Sequence, residues 1–325
     1  MLKNATLRQL SAFHAVARLG SVSRAASELN LTQPAVSIQL KLLVESAGTP
    51  LLQREGRGVR LTPAGDVMAG YAGRILDLWR EVGDQMAGYR GVATGTLRVG
   101  AVTTAEYLVP SLLVSFASQQ PNVKLHLRVG NRDEIVRMLG AHEVDVVIMG
   151  RPPAELKTQA LPFAKHPMAF VAAPQHPLMS AKNLSLAEVS AARLFARERG
   201  SGTRTTLERL FKDAGIALRI ASELSSNEAI KQMCAAGLGV AFVSLHTCAL
   251  ELDAGLLKLL PLAHNPIERE WFVMHLASRQ LPRMASAFEQ FLVDSGQQHI
   301  LARWARPTAV AAGRRSKGSR RGKPE

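Results

Sequence analysis

Apolar residues near the N-terminus recur at the spacing of an amphipathic helix. Over 33–47 they return every three or four positions and form one stripe: Val36, Leu40, Leu43, Val44 and Ala47. Residues at this spacing share one face of an α-helix, so the pattern predicts a helix with one buried side. A shorter helix is predicted over 24–29, with Ser21 or Ser23 as its N-cap and Asn30 at the following turn.

The opposite face of the longer helix carries small, polar and mildly apolar side chains. Thr32 is its predicted N-cap, and a proline in the first turn costs no hydrogen bond. The residues that face away from the stripe are Gln33, Pro34, Ser37, Ile38 and Lys41. Glutamine can pair with adenine, serine with base edges, and apolar groups with the thymine methyl, so this face suits the major groove. A purely structural helical hairpin is the alternative.

From residue 95 onward, short apolar runs alternate with helical segments. Strands are predicted over 96–101, 123–129, 144–149, 168–173, 193–197, 218–221, 240–244, 256–260 and 269–276. Helices are predicted over 106–119, 131–140, 203–214, 227–236 and 283–294. This alternation predicts α/β layers on mostly parallel sheet, in which ligands lie beyond the carboxyl ends of the strands.

Polar side chains follow several of these strands or begin the helices. The candidate ligand contacts are Thr103, Thr104, Asn131, Arg132, Arg151, Ser201, Thr203, Arg204 and Asn227. Hydroxyl groups donate hydrogen bonds and arginine forks onto carboxylate or phosphate, so a cleft for a small anion is predicted. Arg132, Arg151 and Arg204 are expected to converge there. The alternative is that the polar side chains are ordinary helix caps and the arginines are surface residues.

Composition narrows the classes of protein that fit. The chain has 325 residues, 47% of them apolar, which predicts two or three packed domains. No apolar run approaches the roughly 18 residues of a membrane span and no signal-peptide pattern is present, so a cytoplasmic protein is expected. Cys234 and Cys248 lack metal-ligand spacing, and neither a disulfide framework nor a metal site is expected.

The formal net charge is +14, and the positive charge is concentrated at the two ends of the chain. Residues 1–60 hold eight Lys and Arg against three Glu, and residues 314–325 hold six against one. A basic N-terminal unit points to a polyanion partner, although charge alone also fits a solvated surface. The basic tail, 301–325, is predicted to be disordered and to add nonspecific DNA affinity.

Catalytic chemistry is not predicted. The histidines of the second half are scattered without metal-ligand spacing, and no nucleophile–base pair can be named. "GLGVAF" (237–242) precedes a predicted strand, which indicates a helix C-cap rather than a nucleotide-binding loop. A solute receptor would share the α/β pattern but not the N-terminal helix pair.

Residues 7–65 carry a family resemblance. "LTQPAVS" (31–37) and "LTPAG" (61–65) belong to a stretch that closely resembles the winged helix–turn–helix of LysR-type transcriptional regulators. The resemblance implies that Arg57 is at the tip of a wing in the minor groove. The implied DNA-binding residues are Gln33, Pro34, Ser37, Ile38, Lys41, Arg54 and Arg57. Ile38 stands where Arg is common in the family, so an apolar contact is expected there, and Leu52 replaces the usual Phe.

The rest of the chain resembles the same family more narrowly. The helical pattern over 63–90 is similar to the linker helix that pairs two subunits. "MGRPP" (149–153) and "GSGTRT" (200–205) look like the subgroup that controls the RuBisCO operon. This implies an effector that is a phosphorylated metabolite or NADPH, no cofactor, and a dimer of dimers. Promoter DNA with an interrupted palindrome and RNA polymerase are the implied partners. A regulator of another operon is the alternative.

The expected architecture is therefore α/β, with a winged helix–turn–helix, a linker helix and a two-lobed, periplasmic-binding-protein-like effector domain. The first lobe is expected over 95–164 and 267–300, and the second over 165–266. The expected domains are 1–65, 66–92, 93–300 and the tail 301–325.

Overall fold

The computed structural model describes residues 4–56, 58–89 and 95–304. Its N-terminal unit is a winged helix–turn–helix, as predicted. The elements are α1 (Leu7–Leu19), α2 (Val22–Glu28), α3 (Gln33–Ala47), β1 (Leu52–Glu55) and β2 (Gly58–Leu61).

Local sequence explains where these helices begin. Thr6, Ser21 and Thr32 each accept a backbone hydrogen bond as the N-cap of their helix. The cap of α2 is Ser21 rather than Ser23, so α2 begins two residues before the predicted start. Asn30 adopts φ 54°, in the left-handed region that asparagine tolerates, and this turns the chain toward α3.

The stripe predicted for α3 packs inward. Three of its residues are buried and two are partly buried against the same cluster: Val36, Leu40 and Leu43, then Val44 and Ala47. Phe13 and Val16 of α1 supply the facing apolar surface. The buried side of α3 thus holds its opposite side in solvent.

A single long helix, α4 (Pro63–Tyr89), follows the hairpin, in agreement with the predicted 63–90. Ala72 and Asp77 on one side of α4 are buried. The other side exposes an apolar stripe: Val67, Tyr71, Leu78, Trp79, Val82 and Met86. An exposed stripe of this length is unusual for a helix that functions alone.

The elements of the second half alternate as expected. The strands are β3 (Gly95–Val102), β4 (Val123–Gly130), β5 (Val146–Met149), β6 (Thr158–Lys165), β7 (Met168–Ala172), β8 (Leu194–Arg197), β9 (Ser222–Leu224), β10 (Val240–Ser244), β11 (Lys258–Leu259) and β12 (Glu270–Leu276). The helices are α5 (Val109–Gln119), α6 (Arg132–Gly140), α7 (Leu186–Ala191), α8 (Gly202–Asp213), α9 (Asn227–Ala235), α10 (Ala249–Asp253) and α11 (Arg283–Trp304).

These elements form two lobes, each with its own sheet, which confirms the predicted two-lobed α/β fold. The strand order is β4-β3-β5-β12-β6 in the first lobe and β11-β7-β10-β8-β9 in the second. Phe116, Trp271 and Phe288 lie in the core of the first lobe. Phe170 and Phe242 lie in a core of the second. The chain enters the second lobe after β6 and returns after β11.

Both five-stranded sheets are mixed, and they depart from the predicted mostly parallel sheet at one strand of each. β3 pairs parallel with β4 and β5, and β8 pairs parallel with β9 and β10. However, β12 runs antiparallel to β5 and β6, and β7 runs antiparallel to β10 and β11. The chain passes from the first lobe into the second at β7 and returns to the first lobe at β12. These two strands run antiparallel to the strands of the βα units.

Several element predictions need correction. The strand expected over 218–221 lies at Ser222–Leu224, and β6 was not predicted. β6 contains Pro162, which cannot donate to a sheet, and the register with β12 shifts beside it. β6 pairs only with β12 at the sheet edge, where proline is tolerated. α7 was also missed, although Ser185 and Glu188 form its capping box.

Among the residues the structure describes, no helix has both the length and the apolar character that crossing a membrane requires.

Candidate nucleic-acid interface and interlobe cavity

The outer side of α3 is exposed over its first turns. All five residues predicted to face away from the core are exposed: Gln33, Pro34, Ser37, Ile38 and Lys41. Ile38 keeps 57% of its surface in contact with solvent, a large value for an isoleucine. Ser23 of α2 donates to Oε1 of Gln33 at 3.2 Å, which orients the glutamine amide. An amide, a hydroxyl and an apolar group therefore lie together on a surface that fits base edges.

The hairpin of β1 and β2 packs against α1 and α4. Arg54 is exposed on β1, and the predicted contact Arg57 lies outside the described residues. A Cβ on Gly58 would lie 2.8 Å from the carbonyl oxygen of Gly20, so the close approach there needs glycine. The backbone N–H of Val59 donates to the same oxygen at 3.1 Å. The hairpin is thus held against the end of α1.

A cavity of about 360 Å³ lies between the two lobes. Six of the nine predicted ligand residues line it: Thr103, Thr104, Arg132, Arg151, Ser201 and Thr203. They follow the ends of β3 and β5 or begin α6 and α8. Strand ends and helix starts meet at the same edge of an α/β sheet, where ligands usually bind. We call this space the interlobe cavity.

Four arginines line the interlobe cavity: Arg132, Arg151, Arg209 and Arg269. Arg132 makes two hydrogen bonds to the Glu155 carboxylate, at 3.1 and 3.0 Å, and these raise the pKa of Arg132. Arg269 donates to the carbonyl of Gly150 at 2.9 Å and to the Thr206 hydroxyl. Glu155 is the one carboxylate on the lining within the described residues. The cavity therefore carries an excess of positive charge.

His166 forms part of the cavity wall where the chain passes between the lobes. Its ring stacks on Trp271, with 3.6 Å between the ring centroids and 14° between the planes. Neither ring nitrogen has a hydrogen-bond partner in the described part of the chain. Burial, and then the charges of His246 and Arg269, hold the pKa of His166 well below its ordinary value. The neutral imidazole can donate to a ligand and accept from it.

Three residues connect the lobes beside the cavity: Thr103, Arg197 and Asn227. Arg197, only 1% exposed, donates from Nη2 to the Thr103 hydroxyl at 3.1 Å and from Nη1 to Oδ1 of Asn227. Nδ2 of Asn227 donates to the carbonyl of Thr103 at 3.3 Å. Glu198 balances the guanidinium charge at 2.8 Å. We call these three residues the interlobe clasp; it joins a cavity-lining threonine to the second lobe.

The placement predicted for Arg204 was wrong. Its guanidinium donates to Glu208 at 2.6 Å, to Glu223 at 3.0 Å and to the carbonyl of Arg197 at 3.1 Å, all within the second lobe. At 100° per residue, Arg204 lies on the side of α8 opposite to Arg209, which faces the cavity.

Asn131 and Asn227 do not line the cavity either. Asn131 is the N-cap of α6, where its side chain accepts from the backbone of Glu134 at 3.0 Å. Asn227 belongs to the interlobe clasp. The alternative of an ordinary helix cap therefore describes Asn131.

Sequence reasoning missed several residues of the lining, among them Arg209, Arg269 and His166. Arg209 follows Ser201, the N-cap of α8, by eight positions, so helical spacing could have placed it near the same face. Arg269 and His166 come from the two segments that cross between lobes, where no local pattern marks them.

An exposed helix beside a basic hairpin, joined by a long helix to a two-lobed domain with a cation-rich cavity, defines a ligand-responsive DNA-binding regulator. Residues 7–66 match the family described as "Bacterial regulatory helix-turn-helix protein, lysR family". Residues 90–297 match the "LysR substrate binding domain". The protein belongs to the LysR family of transcriptional regulators, which confirms the resemblance and the prediction that it is not an enzyme.

Two regulators and one solved domain structure are among the proteins similar to this chain. The chain is 41% identical to the transcriptional regulator CbbR of Rhodospirillum rubrum, over 88% of this chain and 95% of the relative. It is 38% identical to the RuBisCO operon transcriptional regulator of Allochromatium vinosum, over 89% and 96%. The solved regulatory domain of Synechocystis CcmR in complex with 2-PG is 34% identical, with a TM-score of 0.59. That match covers 62% of this chain and 97% of the CcmR chain.

Proposed function

We propose that this protein binds the promoter of a RuBisCO operon and changes its transcription in response to a small phosphorylated acid. The similarity to RuBisCO-operon regulators over nearly the whole chain supports this target. The observation that carries the ligand class is the set of four arginines against one carboxylate around the interlobe cavity. A regulator of this kind acts in the cytoplasm, where promoter DNA is found.

The size of the cavity favours a small effector. At about 360 Å³ it is near the lower end of ligand sites, which span roughly 300–1,000 Å³. A phosphorylated acid of a few carbons, such as 2-phosphoglycolate, suits this space better than a dinucleotide such as NADPH. Arg132 and Arg151 belong to the first lobe and Arg209 to the second, so a bound anion attracts both lobes. The effector would thereby shift the population of lobe arrangements.

Calorimetry on the full chain tests the ligand class. We expect 2-phosphoglycolate and phosphoenolpyruvate to bind and to raise Tm, because an anion relieves the repulsion among the lining arginines. NADPH is expected to bind more weakly, and benzyl alcohol, a neutral aromatic, not to bind. Equal affinity for the neutral compound, or no binding of any phosphorylated acid at millimolar concentration, would refute the assignment.

The exposed stripe on α4 supports assembly with a second copy of the chain. Tyr71, Leu78 and Val82 recur at helical spacing, and the same stripe on a second chain provides an apolar partner surface. One α3 reads only a few base pairs, so specificity needs paired half-sites in an interrupted palindrome. A dimer of dimers on such a site, in contact with RNA polymerase, is the assembly we propose.

Gln33→Ala tests direct readout by α3. We expect it to weaken binding to the cognate operator by about 1–3 kcal/mol, because it removes an amide that can pair with a base edge. Lys41→Ala should instead weaken cognate and random DNA alike and reduce the salt slope by about one unit if it meets phosphate. Fluorescence anisotropy over a salt series measures both effects. An equal loss on both DNAs for Gln33→Ala would contradict its role in readout.

A further inference from the structure

A second cavity, of about 290 Å³, lies where three parts of the chain meet. His14 and Arg18 of α1 and Arg80 of α4 line one side. Arg98 of β3 and Arg128 of β4 line the opposite side, on the first lobe. We call it the interdomain cavity, since the DNA-binding unit, the long helix and the effector lobe all contribute to its wall.

The two sides of this cavity are held together by direct contacts. Nε2 of His14 lies 3.0 Å from the carbonyl oxygen of Ala141 in the first lobe. Arg18 pairs with Glu28 of α2 and lies 3.9 Å from Glu143 of the first lobe. A change in the charge of the cavity therefore acts at the junction between the DNA-binding unit and the effector domain.

The lining carries more positive than negative charge. Four arginines line it, whereas Glu28 and Glu143 are its carboxylates, and both contact Arg18. Glu143 is also engaged by Arg137 at 3.0 Å. The ion pairs of the described residues leave Arg98 and Arg128 without a carboxylate. No side-chain ion pair of the described residues therefore neutralises Arg98 or Arg128, and the charges of Asp145 and Asp77 offset only part of the effect that burial and Arg80 have on Arg98.

The surroundings of Arg98 disfavour its charged form. Its Nη1 is buried and lacks a hydrogen-bond partner in the part of the chain that the structure describes. Burial, and then the charge of Arg80, lower the pKa of Arg98. A buried donor without a partner is costly, and a cation crowded by another cation more so.

The sheet places the lobe's basic groups side by side. β3 and β4 pair in parallel with Arg98 opposite His126 and Gly100 opposite Arg128. His126 and Arg128 are two residues apart on β4, so they share a face of the sheet. Arg98 is next to them, and the three groups can converge on one ligand.

We propose that the interdomain cavity binds a small phosphate-type anion, held by Arg98 and Arg128 of the first lobe and Arg80 of α4. Tetrahedral oxyanions accept several hydrogen bonds at once, which suits guanidinium groups arriving from different elements. The anion would stabilise the docked arrangement of the DNA-binding unit on the first lobe. This site is separate from the interlobe cavity and does not depend on the effector proposed for it.

Hydrogen exchange on the full-length protein, with inorganic phosphate titrated against chloride at matched ionic strength, tests this site. We expect phosphate to slow exchange in α1 and around 141–145. Peptides over 200–209 report separately on the interlobe cavity, so binding there gives a different signal. The double variant Arg98→Gln/Arg128→Gln should raise the phosphate concentration that gives half of this protection by about tenfold or more. This is the loss expected for charge-assisted hydrogen bonds.

Lys124→Gln is the matched control, because Lys124 is exposed on the same strand but outside the cavity. It should respond to phosphate as the wild type does. If the double variant does not fold, Arg128→Gln alone decides, since Arg128 is on the exposed face. The proposal is overturned if the altered cavity responds like the wild type, if Lys124→Gln loses the response, or if chloride gives the same protection.

Discussion

Arg269→Gln is expected to weaken binding of 2-phosphoglycolate by about 2–5 kcal/mol, the usual cost of truncating one member of a buried charge pair. Arg269 contacts both lobes, through the Gly150 carbonyl and the Thr206 hydroxyl. Among the described residues it forms no ion pair. Burial, and then the charge of Arg209, lower the pKa of Arg269. Arg269 therefore offers an anionic ligand a positive charge that no ion pair of the described residues neutralises. Calorimetry on the full chain measures the loss.

Substitutions of two other arginines serve as controls for this prediction. Arg219→Gln removes an exposed cation from the second lobe outside the cavity, and its affinity for the ligand should equal that of the wild type. Arg204→Gln should lower Tm more than affinity, because Arg204 pairs with Glu208 and Glu223 inside the lobe. Affinity unchanged in Arg269→Gln, or reduced as much in Arg219→Gln, would show that Arg269 does not hold the ligand.

Asp77→Asn is expected to lower the free energy of unfolding by about 3 kcal/mol, at the lower end of the cost of breaking a buried ion pair. Asp77 joins α4 to the first lobe: its carboxylate lies 2.8 Å from Nδ1 of His142 and 3.3 Å from Nε of Arg279. Arg80 adds a third contact at 2.7 Å. The amide keeps the shape of the carboxylate but leaves Arg279 and Arg80 short of negative charge. Arg279 retains Asp145 at 2.7 Å, which limits the loss.

The effect of Asp77→Asn should depend on pH. Burial alone would raise the pKa of Asp77, but the hydrogen bond from His142 and the charges of Arg279 and Arg80 lower it overall. The stabilisation is therefore complete above the ordinary carboxyl pKa of about 4 and is lost as pH falls through the lowered value. Urea unfolding should show the full difference from wild type at pH 7 and a smaller one below about pH 4.

Asp66→Asn provides the control for this experiment. Asp66 is exposed in the first turn of the same helix, so its substitution should change the free energy of unfolding little. A difference between Asp77→Asn and wild type that stays constant down to pH 3 would contradict the proposed ion pairs.

The N-terminal unit and six residues of the interlobe cavity were predictable from local sequence. The stripe on α3, its cap Thr32 and the turn at Asn30 act over a few positions, so their consequences do not depend on the rest of the fold. Thr103 and Ser201 lie where strand ends and helix starts meet, a rule of α/β sheets that needs only the order of elements.

The set of charged residues that line the interlobe cavity could not be predicted from local sequence. Arg269 and His166 reach it from the two segments that cross between the lobes, and Arg204 turns away from it although it is close to Ser201 in sequence. Which side of a helix faces a cleft depends on how the helix packs, and packing is a property of the whole domain.

Local spacing and turn residues thus predicted the helices of the N-terminal unit, the exposed face of α3 and the α/β alternation of the second half, because short-range preferences set them. The interlobe clasp and the interdomain cavity emerged only in the folded chain. Arg98, Arg80 and Arg18 are on three separate elements, and nothing in their sequence neighbourhoods indicates that they meet. Their charges converge because the burial of apolar residues holds those elements together. That burial does not depend on which charged side chains come into contact.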